Sequence, residues 1–127
     1  MDVPDHLIAP VRTLVTELPG SEEIMEGSVG RPVWKVRGRI FVMQHPHEER
    51  PSLWMKAPPG VQEALVESNP QVWFRPPYVG SKGWVGVWLD DGTPWPDVLD
   101  QIEESWDMTA SKTLVRERQA ARGICPA

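Results

Sequence analysis

The stretch that decides the fold is PPYVGSKGWVGVWLD, at positions 76–90. Gly80 and Gly83 bracket two polar residues and predict a tight turn, because glycine adopts backbone angles that strain other residues. Beyond the turn the side chains alternate with a period of two, which is typical of a β-strand. One face of that strand is aliphatic and predicts core. The other face predicts a flat, partly exposed binding surface: Trp84, Gly86 and Trp88.

Length and composition predict a single soluble domain over residues 1–127. A chain of this size buries roughly two-thirds of its unfolded surface. No apolar run approaches the roughly 20 residues of a membrane span, and the first residues lack the basic and hydrophobic regions of a leader. We therefore expect a cytoplasmic protein without a membrane role. Its one cysteine, Cys125, has no partner for an internal disulfide.

The formal net charge of −5 weighs against nucleic-acid binding, which draws most of its affinity from neutralised phosphates. The charge is unevenly distributed, however. Residues 28–41 contain four cations and no acid, whereas residues 94–108 contain five acids and no base. A local basic face is therefore compatible with an acidic total.

Hydrophobic periodicity predicts elements in the order α, three or four β, α, two β, α. Helices are expected from near Ile8 to Leu18, from Pro59 or Gly60 through Ser68, and from Thr93 or Pro94 onward. Strands are expected as a hairpin over 32–37 and 39–43, then at 52–56, 72–75 and 84–89, with a turn at 21–23. Short turns between strands imply an antiparallel sheet with helices packed on one side, an α+β two-layer sandwich. Residues 109–122 are weakly helical, and 110–127 are a candidate for a flexible C-terminal arm.

Five stretches placed on these elements carry a family resemblance: LPGSEE (18–23), GRPVWKVRGRIFVM (30–43), SLWMK (52–56), PPYVGSKGWVG (76–86) and IEESWDMTASKTL (102–114). They cover nearly the whole chain, and in their order and spacing they resemble the MmcQ/YjbR family. The resemblance implies a small α+β fold similar to type III secretion chaperones and frataxin-like sandwiches. It also implies a DNA-binding role, since some members are described as predicted DNA-binding proteins with a double-wing arrangement of hairpins.

The family's recurrent features fall on Lys56 after the third strand, on Pro77-Tyr78, on Trp84 after the turn and on Ser105-Trp106 in the last helix. The chain departs from the family at two of them. Many members have His-Trp-Asn around the position of Trp84, and the glycine and valine found here weaken the case for an essential polar group. Many members have tyrosine at the position of Trp106, so the phenol hydroxyl is lost.

The basic hairpin and the resemblance together favour a non-enzymatic binding protein that contacts DNA. The candidate phosphate-binding residues lie on the first hairpin and at the tip of the glycine turn: Arg31, Lys35, Arg37, Arg39 and Lys82. Lys35 and Arg37 are predicted to be exposed. So few cations predict weak, strongly salt-sensitive binding. The competing interpretation is that the cations keep the hairpin edges soluble while the tryptophans form the sheet core.

The alternative function is recognition of a protein partner or a small anionic or aromatic ligand, with no nucleic-acid role. Seven tryptophans exceed what a core of this size needs, and tryptophan is enriched at interaction hot spots. A groove beside Trp54 is the expected ligand site, with these binding candidates: Lys56, Arg75, Tyr78 and Trp84. Either function is compatible with a monomer or a homodimer.

No residue set in the chain indicates a known catalytic chemistry, so we expect neither enzymatic activity nor a cofactor. The segment His45-Pro46-His47-Glu48-Glu49 places two imidazoles and two carboxylates close together. The intervening proline and the lack of a third anchored ligand argue against a metal site. We interpret the segment as a loop.

Overall fold

The computed structural model describes residues 4–28 and 30–121, which form four α-helices and six strands. The helices are α1 (Asp5–Val15), α2 (Val61–Ser68), α3 (Trp95–Thr109) and α4 (Lys112–Ala121). The strands are β1 (Ser21–Glu26), β2 (Arg31–Val36), β3 (Arg39–Gln44), β4 (Ser52–Met55), β5 (Trp73–Phe74) and β6 (Val85–Trp88). None of the described helices has both the length and the apolar content needed to cross a lipid bilayer. The predicted α+β architecture is confirmed.

The six strands form one antiparallel sheet in the order β1-β2-β3-β4-β6-β5. Strands that follow one another from β1 to β4 are also neighbours in the sheet, as short connections require. The β2–β3 turn consists of Arg37 and Gly38, whose φ angles are 56° and 74°. Positive φ at both positions gives the turn a twist that matches the strands it joins. The predicted hairpin is therefore confirmed.

One face of the sheet packs against helices and forms the main core. α1 contributes Ile8 and Val11, and α3 contributes Val98, Ile102 and Trp106, each at most 1% exposed. These positions recur at helical spacing, so each helix presents one apolar stripe to the sheet. The strands add a layer of mostly aliphatic side chains on the same face: Trp34, Val36, Val42, Leu53, Met55, Val85 and Val87.

The opposite face of the sheet is covered by its own aromatic side chains, which form a second core: Trp54, Phe74, Trp84 and Trp88. Partly buried side chains from β3 and the loop before β6 surround this second core: Ile40, Met43 and Val79. Six of the seven tryptophans are at most 9% exposed. The prediction of more tryptophan than a core requires is therefore wrong, because the sheet builds a core on both of its faces.

Three segments differ from the predicted elements. Residues 21–26 form strand β1 instead of a turn, because Glu23 contacts Trp34 and Arg12 on the helix-covered face of the sheet. α1 begins at Asp5, before the expected start near Ile8. Residues 112–121, expected to be only weakly helical, form α4, which packs on the main core. The remaining residues of the proposed arm, 122–127, lie outside the described part of the chain.

Candidate functional site

Five cationic side chains lie at one end of the sheet and define what we term the cationic end: Arg37, Arg39, Lys56, Arg75 and Lys82. The strand register explains why they meet. Arg37 lies in the β2–β3 turn, Arg39 is the first residue of β3, and Lys56 follows the last residue of β4. β4 ends opposite the start of β6, so Lys82, which precedes β6, lies at the same end of the sheet. Arg75 follows the last residue of the adjacent strand β5.

The cationic end follows the strand order across β2, β3, β4, β6 and β5, which is most of the sheet. Neighbouring strands are about 4.8 Å apart, so the row of cations extends over roughly 20 Å. Along one strand of duplex DNA a phosphate recurs about every 3.4 Å of helix axis, so this length is comparable with a run of several phosphates. A row of this length matches an extended polyanion better than a compact ion.

Lys56 occupies the middle of the row and is held there by α3. Its backbone N–H donates to Oγ of Ser105 at 3.0 Å, and its carbonyl oxygen accepts from Nε2 of Gln101 at 3.1 Å. Burial lowers the pKa of Lys56 below its usual value, and the nearby charge of Arg39 lowers it further. Two like charges close together disfavour the charged ammonium, and an anion bound between them relieves that repulsion.

Arg75 and Lys82 line a cleft of about 420 Å³ beside the glycine turn. Gln62 of α2 supports this turn, because its side-chain amide donates to the carbonyl oxygen of Gly80 at 2.8 Å. A β-carbon at Gly80 would lie 2.7 Å from Cγ of Arg75, so the Arg75 side chain would have to move to make room for one. Glu63 is the one acidic residue among the described residues that line the cleft. The turn is thus a rigid support for two exposed cations.

Two of the predicted phosphate-binding residues are not part of the cationic end. Arg31 is the first residue of β2 and therefore lies at the opposite end of the sheet from Arg37. Lys35 forms an ion pair with Glu26 of β1, with 2.7 Å between Nζ and Oε1, and its side chain is 20% exposed. The expectation of an exposed Lys35 is therefore wrong, because the unforeseen strand β1 supplies an acid beside it.

The predicted ligand groove is also changed by the structure. Lys56, Arg75 and the exposed Tyr78 lie at the cationic end, but Trp84 is 9% exposed and Trp54 is 3% exposed. Both rings belong to the second core. The expectation of an open tryptophan surface is therefore wrong. Strands β4, β5 and β6 bring large rings side by side, and these rings bury one another.

All five cations of the cationic end are predicted from the sequence to be binding residues. They are divided there between two hypothetical sites, the phosphate-binding residues and the ligand groove. The signal that unites them is their position relative to the predicted strands. In an antiparallel sheet the last residue of one strand lies beside the first residue of its neighbour. At the strand ends, this rule places the residues that follow β2, β4 and β5 at one end of the sheet. The first residue of β3 and the residues before β6 lie at the same end.

The histidine-containing loop packs against the second core. The ring of His47 stacks on Phe74 with centroids 4.1 Å apart, and His45 lies 4.4 Å from the ring of Trp54. Within residues 4–28 and 30–121, no group of three or more His, Cys, Asp or Glu side chains is arranged to hold a metal ion. The imidazoles thus have a packing role that the sequence did not reveal.

A second cleft, of about 480 Å³, runs along the exposed face of α3 and carries the opposite charge. It is lined chiefly by carboxylates: Asp97, Asp100, Glu103, Glu104 and Asp107. Arg118 of α4 forms an ion pair with one of them, Glu103. Five of the 18 acidic residues of the chain therefore line this cleft on the helix layer.

Comparisons with known proteins agree with this fold. A protein-family model described as YjbR matches residues 16–108. The structure is similar to the crystal structure of Deinococcus radiodurans protein DR2400, a DUF419 domain, with a TM-score of 0.72. The two share 22% sequence identity over 93% of this chain and 88% of the other, and at that identity the likeness concerns the fold. No curated protein matches this chain significantly.

Proposed function

This chain belongs to the YjbR family, and we propose that it is a non-enzymatic nucleic-acid-binding protein that contacts phosphates through the cationic end. The observation that supports the proposal is the row of five cations over roughly 20 Å at one end of the sheet. Phosphate contacts position a protein on nucleic acid without reading its sequence. The proposal therefore predicts that the protein binds nucleic acid with little preference for base sequence. The location expected from the amino-acid sequence is the cytoplasm.

Separation of charge explains how a chain with a net charge of −5 can bind a polyanion. The carboxylates of α3 line a cleft of their own, and the cleft beside Arg75 and Lys82 is mainly cationic. At physiological salt the screening length is about 8 Å, so acids farther than this from the cationic end contribute little to the potential there. The local row of cations, rather than the total charge, then determines the affinity.

Phosphate contacts of this number predict a steep dependence on salt. Each contact with duplex DNA contributes about 0.9 to the slope of log K against log salt, so five contacts predict a slope of about −4.5. Affinity should accordingly fall roughly 500-fold between about 50 and 200 mM salt. Binding should be weak under physiological conditions and clear at low salt.

The test is fluorescence anisotropy of a labelled DNA duplex, measured across a salt series from about 20 to 200 mM. The double variant Arg39→Gln/Lys82→Gln removes two exposed cations from the cationic end. We expect its salt slope to be shallower by about 1.8 and its affinity to fall about tenfold or more at low salt. Thermal unfolding of the variant establishes that the domain is folded.

The matched control is Arg31→Gln/Arg50→Gln, which removes two cations from the opposite end of the sheet. Both double variants have the same net charge. Arg50 also pairs with Asp90 and lies over the ring of Trp88, so thermal unfolding has to establish that the control variant is folded as well. Equal losses of affinity would show that total charge decides binding and would contradict the proposal. Absence of binding by the wild-type protein to both duplex and single-stranded DNA at the lowest salt would contradict it as well.

The cleft beside Arg75 and Lys82 supports a second candidate function, recognition of a small anionic ligand. Its volume of about 420 Å³ lies within the range of small-molecule sites. Titration calorimetry with inorganic pyrophosphate separates the two functions. A small-ligand site saturates at one equivalent and depends on these two residues, whereas it is insensitive to replacement of Arg37 or Arg39.

A further inference from the structure

The loop between β5 and β6 projects one aromatic side chain into solvent. Tyr78 is 89% exposed and is the most exposed large hydrophobic side chain in the described part of the protein. Its neighbours are anchored: Pro76 and Gly80 are buried, and Val79 packs against the second core. The ring therefore projects from a segment that is anchored on both sides of it.

The backbone at Tyr78 is strained. Its φ is 64°, in the left-handed region that residues with a β-carbon rarely adopt. The N–H of Val79 donates to the carbonyl oxygen of Pro77 at 2.7 Å, which makes Tyr78 the central residue of a γ-turn. A γ-turn with positive φ at its centre is the rare and strained form. Such strain persists where surrounding structure fixes it, and it is concentrated at functional sites.

Hydrogen bonds on both sides fix the γ-turn. The N–H of Gly80 donates to the carbonyl oxygen of Pro76 at 3.0 Å, and Oγ of Ser81 donates to the carbonyl oxygen of Tyr78 at 3.2 Å. The carbonyl oxygen of Val79 accepts from two N–H groups further along the loop. The tyrosine ring is therefore presented on a rigid support, and little loop entropy is lost when something binds to it.

The charges beside the ring indicate the kind of partner. Arg75 precedes the loop and Lys82 follows the γ-turn, and both line the cleft of the cationic end. An exposed ring in the loop that separates these two cations along the chain matches a polymer in which flat bases alternate with phosphates. In a duplex the bases stack on one another and present only their edges in the grooves. A base face is available to Tyr78 only where the nucleic acid is unpaired.

We infer that Tyr78 stacks on an unpaired base of a single-stranded nucleic acid whose phosphates contact Arg75 and Lys82. The inference rests on the proposed function and names its ligand class: single strands, bound in preference to duplex. The cations contribute affinity for any polyanion, and the ring contributes the preference for single strands over duplex. This division of roles makes the two contributions separable by experiment.

A double-mutant cycle between the tyrosine ring and the bases tests the inference. The ligands are labelled oligo(dT) of about 12 nucleotides, an abasic oligonucleotide of equal length, and a duplex of that length. Loss of one base–aromatic stack should weaken oligo(dT) binding about 5- to 100-fold in Tyr78→Ala. Tyr78→Phe keeps the ring and should bind as the wild type does. On the abasic ligand the wild-type protein and Tyr78→Ala should bind equally.

Two further variants separate the ring from the backbone and from the cations. Tyr78→Gly removes the ring but tolerates positive φ, so it should match the loss in Tyr78→Ala if the ring is what matters. Lys82→Gln should make the salt slope on oligo(dT) shallower by about 0.7, whereas Tyr78→Ala should leave that slope unchanged.

The outcomes distinguish this inference from the proposed function. If Tyr78→Ala binds oligo(dT) as tightly as the wild type, or loses as much affinity for the abasic ligand, the inference is overturned and phosphate binding stands. Duplex binding as tight as oligo(dT) binding overturns it in the same way. If the wild-type protein binds neither single strands nor duplex at low salt, the proposed function fails and the inference fails with it.

Discussion

The ring of Phe74 lies directly over the α-carbon of Gly86 on the neighbouring strand. The register pairs these two residues, and a β-carbon at Gly86 would lie only 2.2 Å from Cζ of the ring. Position 86 therefore accepts no side chain while the ring stays in place. The sequence predicts that this glycine lies on an open surface, but the ring of Phe74 occupies the space above it.

Gly86→Ala should destabilise the protein by about 1–3 kcal/mol, because the added methyl group forces Phe74 or the strand to move. Urea-induced unfolding measures the loss. The control is Gly92→Ala in an exposed turn, where the nearest atom to a β-carbon is Oδ1 of Asp90 at 3.4 Å. That change should stay within about 0.5 kcal/mol. Equal stability of the two variants would mean that the ring moves aside freely.

The hairpin turn between β3 and β4 should become more stable when its two central residues are replaced. Glu48 and Glu49 have φ angles of 53° and 61°, and the turn is closed by reciprocal backbone hydrogen bonds between His47 and Arg50. Asn-Gly suits a turn with two positive φ angles. Glu48→Asn/Glu49→Gly should raise the free energy of unfolding by about 1–2 kcal/mol.

Glu48→Gln/Glu49→Gln is the control for that turn, since it removes both charges but keeps both β-carbons. Thermal unfolding of the two double variants separates backbone strain from charge. A gain of similar size in the control would attribute the effect to charge repulsion and contradict the strain argument.

Glu23 should matter for stability because it joins three elements. Its carboxylate accepts from Nε1 of buried Trp34 at 3.0 Å and from Nε and Nη2 of Arg12 at 2.9 and 3.1 Å. Glu23→Ala leaves the indole N–H without this acceptor and should cost about 1–3 kcal/mol in chemical denaturation. Glu23→Gln keeps an acceptor oxygen and should cost less. Glu22→Ala, at the exposed neighbouring position, should have little effect; a loss as large as in Glu23→Ala would refute this role.

Lys56 should react with an amine-directed acylating reagent at lower pH than a lysine model peptide does. Burial and Arg39 both lower its pKa, so the reactive neutral amine is populated earlier. Peptide mass spectrometry across a pH series gives the profile. Arg39→Gln removes the second cause and should shift the profile to higher pH. An unchanged profile in that variant would exclude the charge effect.

The same lowered pKa fixes the sign of a stability effect. Below the folded-state pKa of Lys56 the charged ammonium is less favourable in the folded protein than in the unfolded chain. Between that pKa and the unfolded value of 10.5 the unfolded chain binds more protons, so this contribution to stability rises with pH. Lys56→Met should weaken this rise when the free energy of unfolding is measured across alkaline pH.

The elements that the sequence predicts well are those whose pattern is local. The hairpin around Gly38 and the helical stripe of Val98, Ile102 and Trp106 follow directly from periodicity. β1 lacks such a pattern, because its residues are mostly exposed and its position depends on the contacts of Glu23 with two other elements. Local propensity does not contain that information.

The types of residue in the candidate site are predictable from the sequence, but which of these residues lie together in the fold is not. Alternation indicates which side of β6 carries Trp84, but it does not reveal what covers that side. Phe74 and the histidine loop come from elsewhere in the chain and bury the surface. Lys35 was misjudged for the same reason, since its partner Glu26 belongs to a strand that periodicity did not detect.

The outer strands of the sheet, β1 and β5, determine how copies of the protein can meet. β5 has only two residues, and β1 carries three glutamates along its length. Short and charged border strands are poor templates for the addition of another chain's strand. We therefore expect both borders to disfavour polymerisation by continuous hydrogen bonding.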